Sequence, residues 1–211
     1  MKYAILLDGA FVIAKLRNKR VFPAAADILR RVEQIKSHEL LDGAEHLRTY
    51  FYHAEPAKDE LTNPISGVVL DLASSDVFRR NESLIQSLET QPDVAVRLGE
   101  LSANGWMLGA KAFQDITKNP RQIVERDLVP NVRQKGVDLR IALDIARLSL
   151  RGIVDTLVVV TGDSDFVPAF KFARREGLRI YLDHMGHGVK RPLKVHVDRI
   201  LDMPVHRAQQ N

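Results

Sequence analysis

The sequence predicts an α/β fold built on a mainly parallel sheet covered by helices on both faces. Five short strand candidates stand out at 3–7, 46–53, 94–98, 156–161 and 178–183. Helix-period patterns stand between them, and strands alternating with helices argue for a parallel sheet. Two of the runs end in Asp, at Asp8 and, after Thr161-Gly162, at Asp163. Ligands of open α/β sheets bind outside the carboxyl ends of the strands.

The first strand is Tyr3-Ala4-Ile5-Leu6-Leu7, closed by Asp8-Gly9. Residues 24–38 put Ile28, Val32 and Ile35 on one helical face, with Pro23 fit for a first turn. After the second strand, Pro56, Pro64 and Gly67 predict a long loop over 54–75. Residues 76–89 return to the helical period with Val77, Leu84, Ile85 and Leu88. Residues 99–130 carry Gly99, Gly105, Gly109, Pro120 and Pro130 around the single Trp106. They predict an excursion from the alternation, with a hairpin through Trp106-Met107-Leu108, and long irregular connections are often functional. Residues 138–150 form a helix with Leu139, Ala142, Leu143, Ala146 and Leu150. The strand Leu157-Val158-Val159-Val160 hands over to Thr161-Gly162-Asp163-Ser164-Asp165 and a helix over 166–176 that stops at Gly177. We therefore expect one domain over 1–203 and a polar, frayed tail over 204–211.

Composition narrows the chemistry. The chain has 211 residues, 45% of them apolar, enough to fill a real core. It has no cysteine, which excludes disulfides and thiolate metal sites and suits a reducing compartment. The first apolar run is too short for a secretory signal, and no stretch approaches the ~20 apolar residues of a membrane helix. The expected location is the cytoplasm, with no membrane partner. There is no GxSxG, Walker loop, GxGxxG after the first strand, or HExxH.

The carboxylates carry the chemical signal. Asp8 and Asp163 end two strands, Asp165 lies just inside the next helix, and Asp138 follows Lys135-Gly136-Val137 at a helix start. Several acids placed together repel one another unless a cation joins them. Hard ions such as Mg²⁺ or Mn²⁺ prefer such oxygen ligands. Each acid has a plainer reading as a helix cap, first-turn or turn residue. Asp144 lies six residues past Asp138, about 240° off the same face of a helix. It is expected to be structural or to support a ligand from behind. His184 and His187 form an HxxH in a loop, a weak signal, and Asp183 is an outside candidate at a strand end. Overall charge is +4, but 171–199 holds eight Lys/Arg against three acids, a net +5. Basic flanks around an acidic centre suit a polyphosphate partner.

Asp8-Gly9, Lys135-Gly136-Val137-Asp138 and Val160-Thr161-Gly162-Asp163-Ser164-Asp165-Phe166 together resemble the NYN domain. More closely, they resemble the LabA-like branch of the PIN-like nuclease superfamily. The resemblance runs from Asp8 to Asp198-Arg199-Ile200. It implies a Rossmann-like three-layer α/β/α sandwich, a five-stranded sheet in the order 3-2-1-4-5, and metal-dependent cleavage of RNA. The acidic positions map onto Asp8, Asp138, Asp163 and Asp165, as catalytic residues and ligands of Mg²⁺ or Mn²⁺. One departure is Phe11, where many relatives have Asn after D-G-x; Phe cannot orient a water or a phosphate.

The expected activity is therefore an endoribonuclease leaving 5′-phosphate and 3′-hydroxyl ends. Lys135, Thr161 and Ser164 are expected to face substrate or the ligating acids, and Arg174, Arg175, Lys190 and Arg191 to track the RNA backbone. A non-catalytic RNA-binding or regulatory module with a retained metal site is the alternative. A phosphohydrolase of the haloacid dehalogenase type ranks third, since Asp8-Gly9-Ala10 lacks that class's second acid. A homo-oligomer stays open.

Overall fold

The structure is a computed structural model that describes residues 1–19 and 21–209. In chain order its elements begin with β1 (Lys2–Asp8), α1 (Gly9–Leu16), α2 (Ala25–Lys36), β2 (Glu45–Ala54), β3 (Glu60–Thr62) and β4 (Val69–Asp71). Then come α3 (Asp76–Glu89), β5 (Val94–Leu108), α4 (Ala110–Lys118), β6 (Leu128–Lys135) and α5 (Val137–Leu150). The chain closes with β7 (Thr156–Val160), α6 (Val167–Arg175), β8 (Arg179–Asp183), α7 (Arg191–Val195) and β9 (Arg199–Ile200). It divides into two compact units. The first holds Met1–His53, Leu84–Leu98 and the chain from Gly136 onward; the second holds Ala54–Ser83 and Gly99–Lys135.

The first unit is organised by β1. It pairs in parallel with β2 on one side and β7 on the other, β7 pairs in parallel with β8, and β8 with β9. All five central residues of β1 are buried, the mark of a strand covered on both faces. Side chains alternate between faces along a strand. Tyr3, Ile5 and Leu7 of β1 join Val158 and Val160 of β7 in one cluster with Val12, Ile13 and Leu16 of α1 and Ile28, Val32 and Ile35 of α2. The alternate residues Ala4, Leu6, Leu157 and Val159 are as deeply buried. Outside that cluster, α5 and α6 pack on each other and bury Ile141, Ile145 and Leu148 with Phe170 and Ala173.

A buried ion pair ties α2 to β8. Arg31 donates from Nε and Nη2 to both carboxylate oxygens of Asp183, at 2.7 and 2.6 Å. Its Nη1 also donates to the carbonyl of Pro204 at 2.8 Å. Ala208 donates its amide to Leu16 O at 2.8 Å and is buried, and Gln34 Nε2 meets His206 Nδ1 at 2.6 Å. The segment 204–208, expected to fray, is thus laid along α1 and α2; residues 210 and 211 lie outside the described residues.

The sheet departs from expectation. Its order is β6-β5-β2-β1-β7-β8-β9, a mixed sheet of seven strands and not a five-stranded, mainly parallel one: the five expected strands sit inside it as β5-β2-β1-β7-β8, and β6, antiparallel, and β9 extend its edges. β5 runs 15 residues, well past the expected stop at 98, and β6 pairs with it antiparallel. Short β9, only 2 residues, carries no periodicity that sequence could reveal.

Within the second unit, β3 and β4 form an antiparallel hairpin where a long loop was expected. Asn63 turns it: its Oδ1 accepts from the amides of Ile65 and Ser66, and Gly67 follows at φ +73°. Trp106, Met107 and Leu108 are not a hairpin tip. They end β5 opposite Pro130, Val129 and Leu128, and the chain returns through α4 and a 3₁₀ turn at Glu125–Asp127. Arg121 clamps that return, donating to Asp127 at 2.6 and 2.9 Å and to Asp115 at 3.0 Å. These bonds hold the Asp127 carboxyl well below the usual carboxylate range. No helix among the described residues is long and apolar enough to cross a membrane.

Candidate active site at the carboxyl edge of the sheet

Two neighbouring strands deliver the first pair of candidate side chains. β1 and β7 run in register to Leu7 opposite Val160. Asp8 and Thr161 therefore leave the sheet side by side. Thr161 is fully buried, and its hydroxyl donates to Asp8 Oδ2 at 3.0 Å. The Thr161 hydroxyl oxygen in turn accepts the amide of Asp163 at 3.2 Å. Asp8 also caps α1, its Oδ1 accepting the Phe11 amide at 3.2 Å. Gly9 is required there: a Cβ would lie 2.4 Å from the carbonyl oxygen of Tyr52.

The turn after β7 supplies the next acids. Asp163 caps the 3₁₀ turn Ser164–Phe166, its Oδ1 accepting the Asp165 amide at 2.9 Å. Asp163 and Asp165 are exposed and Ser164 is half-buried. Asp138 stands in the first turn of α5. Gly136 precedes it in the left-handed region at φ +73°, which favours glycine. Its carbonyl accepts from the Arg140 guanidinium at 3.0 Å.

Two of these carboxylates are shifted, in part by their acidic neighbours. The Asp8 carboxyl is raised above its ordinary value, chiefly by burial. The Phe11 amide and the Thr161 hydroxyl oppose that rise, and the charges of Asp138 and Asp163 add to it. Asp138 is raised by desolvation and then by Asp163 and Asp165. No Lys or Arg among the described residues forms an ion pair with any of the four. The donors fit a hard divalent cation in kind, being all carboxylate oxygens with unrelieved like charge. They are not gathered into a ready cage: among the described residues no group of three or more His, Asp or Glu is placed to hold a metal ion. Mg²⁺ in particular often uses one or two carboxylates and keeps its waters.

Other expected residues divide. Lys190 and Arg191 open α7, which packs on the Ser164–Phe166 turn, and both are exposed. Lys135 closes β6 opposite Glu100, in the second unit. Arg174 and Arg175 are not brought to the acids. They close α6, which leaves the acidic turn and climbs about 13 Å over its nine residues. Arg174 is bound to Asp198, from Nε at 3.0 Å and Nη2 at 2.9 Å. Asp144 takes the Tyr52 hydroxyl at 2.9 Å and lies 3.5 Å from Arg97 Nε. Asp183, wholly buried against Arg31, is unavailable as a ligand.

The structure adds Lys15, which the sequence reading missed. Lys15 Nζ lies 2.8 Å from His187 Nδ1 and 5.6 Å from the centre of the Phe11 ring. His187 meets Phe11 edge-on, ring centres 5.9 Å apart. Both rings close over Gly162, where a Cβ would lie 2.6 Å from Phe11 and 2.8 Å from His187. The available signal was helical spacing, since Lys15 follows Phe11 by four residues on α1.

Residues 79–203, more than half of the chain, match the NYN domain. The match takes in Asp138, Asp163 and Asp165, and Asp8 on β1 lies outside it. A crystal structure of a protein of unknown function from Vibrio parahaemolyticus superposes with a TM-score of 0.52 over 95% of this chain and 91% of its own, at 15% identity. That likeness is one of fold. No curated protein matches the sequence. The stretch carrying three of the four carboxylates is thus the stretch the family defines, and the chain belongs to the NYN domain family.

Proposed function

We propose that this protein is a Mg²⁺- or Mn²⁺-dependent endoribonuclease of the LabA-like branch. One observation carries the reading: the Thr161 hydroxyl joins Asp8 to the Asp163 amide across the β1–β7 joint, where neighbouring carboxylates help raise both Asp8 and Asp138. Acids in mutual repulsion destabilise the fold, and a cation offsets that cost. Asp8, Asp138, Asp163 and Asp165 would hold the ion. When bound, such an ion lowers the pKa of a water and stabilises charge on a phosphoryl oxygen.

The chain's own residues supply the rest. Thr161 and the Phe11 amide fix the two oxygens of Asp8, so one acid is oriented before substrate arrives. Lys15, paired to His187 rather than to a carboxylate, offers a cation for the substrate phosphate. Ser164 can donate to the same backbone, and Lys190 and Arg191 at the start of α7 can take neighbouring phosphates. The test is cleavage of single-stranded RNA with Mn²⁺ against excess EDTA, in the parent and in Asp163→Asn. Metal-dependent cleavage lost in the variant supports the reading; cleavage equal in both would sink it.

Phe11 favours a second reading. Its side chain has no polar group to offer where many relatives carry Asn, and it seals Gly162 instead. A non-catalytic RNA-binding module would bind the same RNA with Mn²⁺ present and leave it intact.

A further inference from the structure

At the amino end of β8, opposite the end that borders the acidic turn, the first unit has an open groove of about 520 Å³. Lys171, Arg174, Arg175 and Arg179 line it, with His196 and a single carboxylate, Asp198. That carboxylate is already engaged. It accepts from Arg174 and, through its second oxygen, from the Ile180 amide at 2.8 Å. Lys171, Arg175 and Arg179 are exposed, and no carboxylate among the described residues pairs with them. His196 reports the excess: burial, then the charges of Lys171 and Arg174, hold it below its ordinary value. Three unneutralised cations facing an open groove form an anion site. The lining is too charged for an apolar ligand, and the open shape suits a chain passing through.

We propose that this groove is a phosphate-binding site, distal to the acidic edge, that holds the sugar–phosphate backbone of single-stranded RNA. Its assignment to RNA rests on the ribonuclease reading above. α6 links the two places, with its first turn beside the acids and its last turn in the groove. A strand lying along α6 would meet the carboxylates at one end and Lys171, Arg175 and Arg179 at the other.

The experiment measures binding of the full-length protein to labelled single-stranded RNA in EDTA, across a salt series. Each backbone contact on a single strand contributes about −0.7 to the slope of log K against log salt. The double variant K171E/R175E is expected to bind at least about tenfold more weakly and to flatten the slope by about 1.4, two contacts' worth. K171Q/R175Q, measured alongside, should flatten it as much. The conservative K171R/R175K should keep both affinity and slope. Unchanged affinity and slope in both charge-removing variants, with the parent still cleaving RNA under Mn²⁺, would overturn the groove and leave the ribonuclease reading standing. A parent that neither binds nor cleaves RNA would overturn both. Competition by polyglutamate as strong as by unlabelled RNA would reject phosphate as the ligand.

Discussion

Asp183→Asn offers the sharpest test of how the acidic edge is supported. Asp183 ends β8 with both oxygens on Arg31 at 2.6 and 2.7 Å, and one of them also accepts the Met185 amide at 2.9 Å. Both partners are sealed, with side chains 1% and 0% exposed. The amide variant keeps the shape and the Met185 bond but strands a guanidinium in the core. Removing one partner of a buried pair costs about 3–5 kcal/mol. At about 2–4 °C per kcal/mol for a domain of this size, the melting midpoint should fall by about 6–20 °C. Arg31→Met strands the opposite charge and should lose a comparable amount. The double variant removes both charges and should recover much of the loss, so the two changes are strongly non-additive. Urea and thermal melts of the four proteins complete the cycle. Losses that simply add, or an Asp183→Asn protein within about 1 kcal/mol of the parent, would refute the pair as a buried, mutually dependent unit.

Thermal melts should also rise with millimolar Mn²⁺, by mass action on the folded state, and Asp163→Asn should remove much of that shift; an equal shift in the variant would put the ion elsewhere. Without metal, Asp138→Asn should be more stable than the parent at neutral pH. The Asp138 carboxyl is raised, so the folded protein holds that proton more tightly than the unfolded chain. Its stability penalty is therefore fully present above the folded pKa and fades as pH falls towards the unfolded value. The gap between variant and parent should close over that fall, and a gap that widens would contradict the repulsion. Gly162→Ala should weaken both stability and RNA cleavage, because its Cβ would meet Phe11 and His187 at 2.6 and 2.8 Å; a fully active Ala variant would show that these rings move aside freely.

The central strands were legible because they are buried on both faces. Runs such as Leu157-Val158-Val159-Val160 can hardly be anything else in an alternating chain, and they led directly to Asp8 and Asp163. The second unit was not legible for the opposite reason. Val69, Phe113, Val129 and Val132 are exposed, so apolar spacing there does not report an inward face. Periodicity therefore could not reveal the β3–β4 hairpin or the return through α4. Arg174 and Arg175 show a different limit. Sequence put them in a basic segment next to the acids, but a helix leaving the carboxyl edge runs back along the sheet, so residues late in α6 finish at the far end. Asp183 was ambiguous because a terminal Asp on a strand reads the same whether it faces a metal or a guanidinium; its partner Arg31 lies 152 positions away.

Phe11 is where the reading of the motif needs most revision. The position does two things, and only one depends on its side chain. The backbone amide caps Asp8 whatever residue stands there, so the orientation of that acid survives the loss of Asn. The ring changes the other half. It packs with His187 over Gly162 and presents a face to Lys15 one turn further along α1. A polar group that Asn would place at the fourth position is replaced by an ammonium at the eighth, steadied by an aromatic face and an imidazole. The consequence for chemistry follows from charge and donor set: an Asn both donates to and accepts from a water, whereas Lys15 only donates, and its charge favours an anion. If the site cleaves RNA, Lys15→Ala should therefore weaken substrate capture more than Phe11→Leu does. Phe11→Asn, by removing the ring that seats Lys15, should not restore what Lys15→Ala loses.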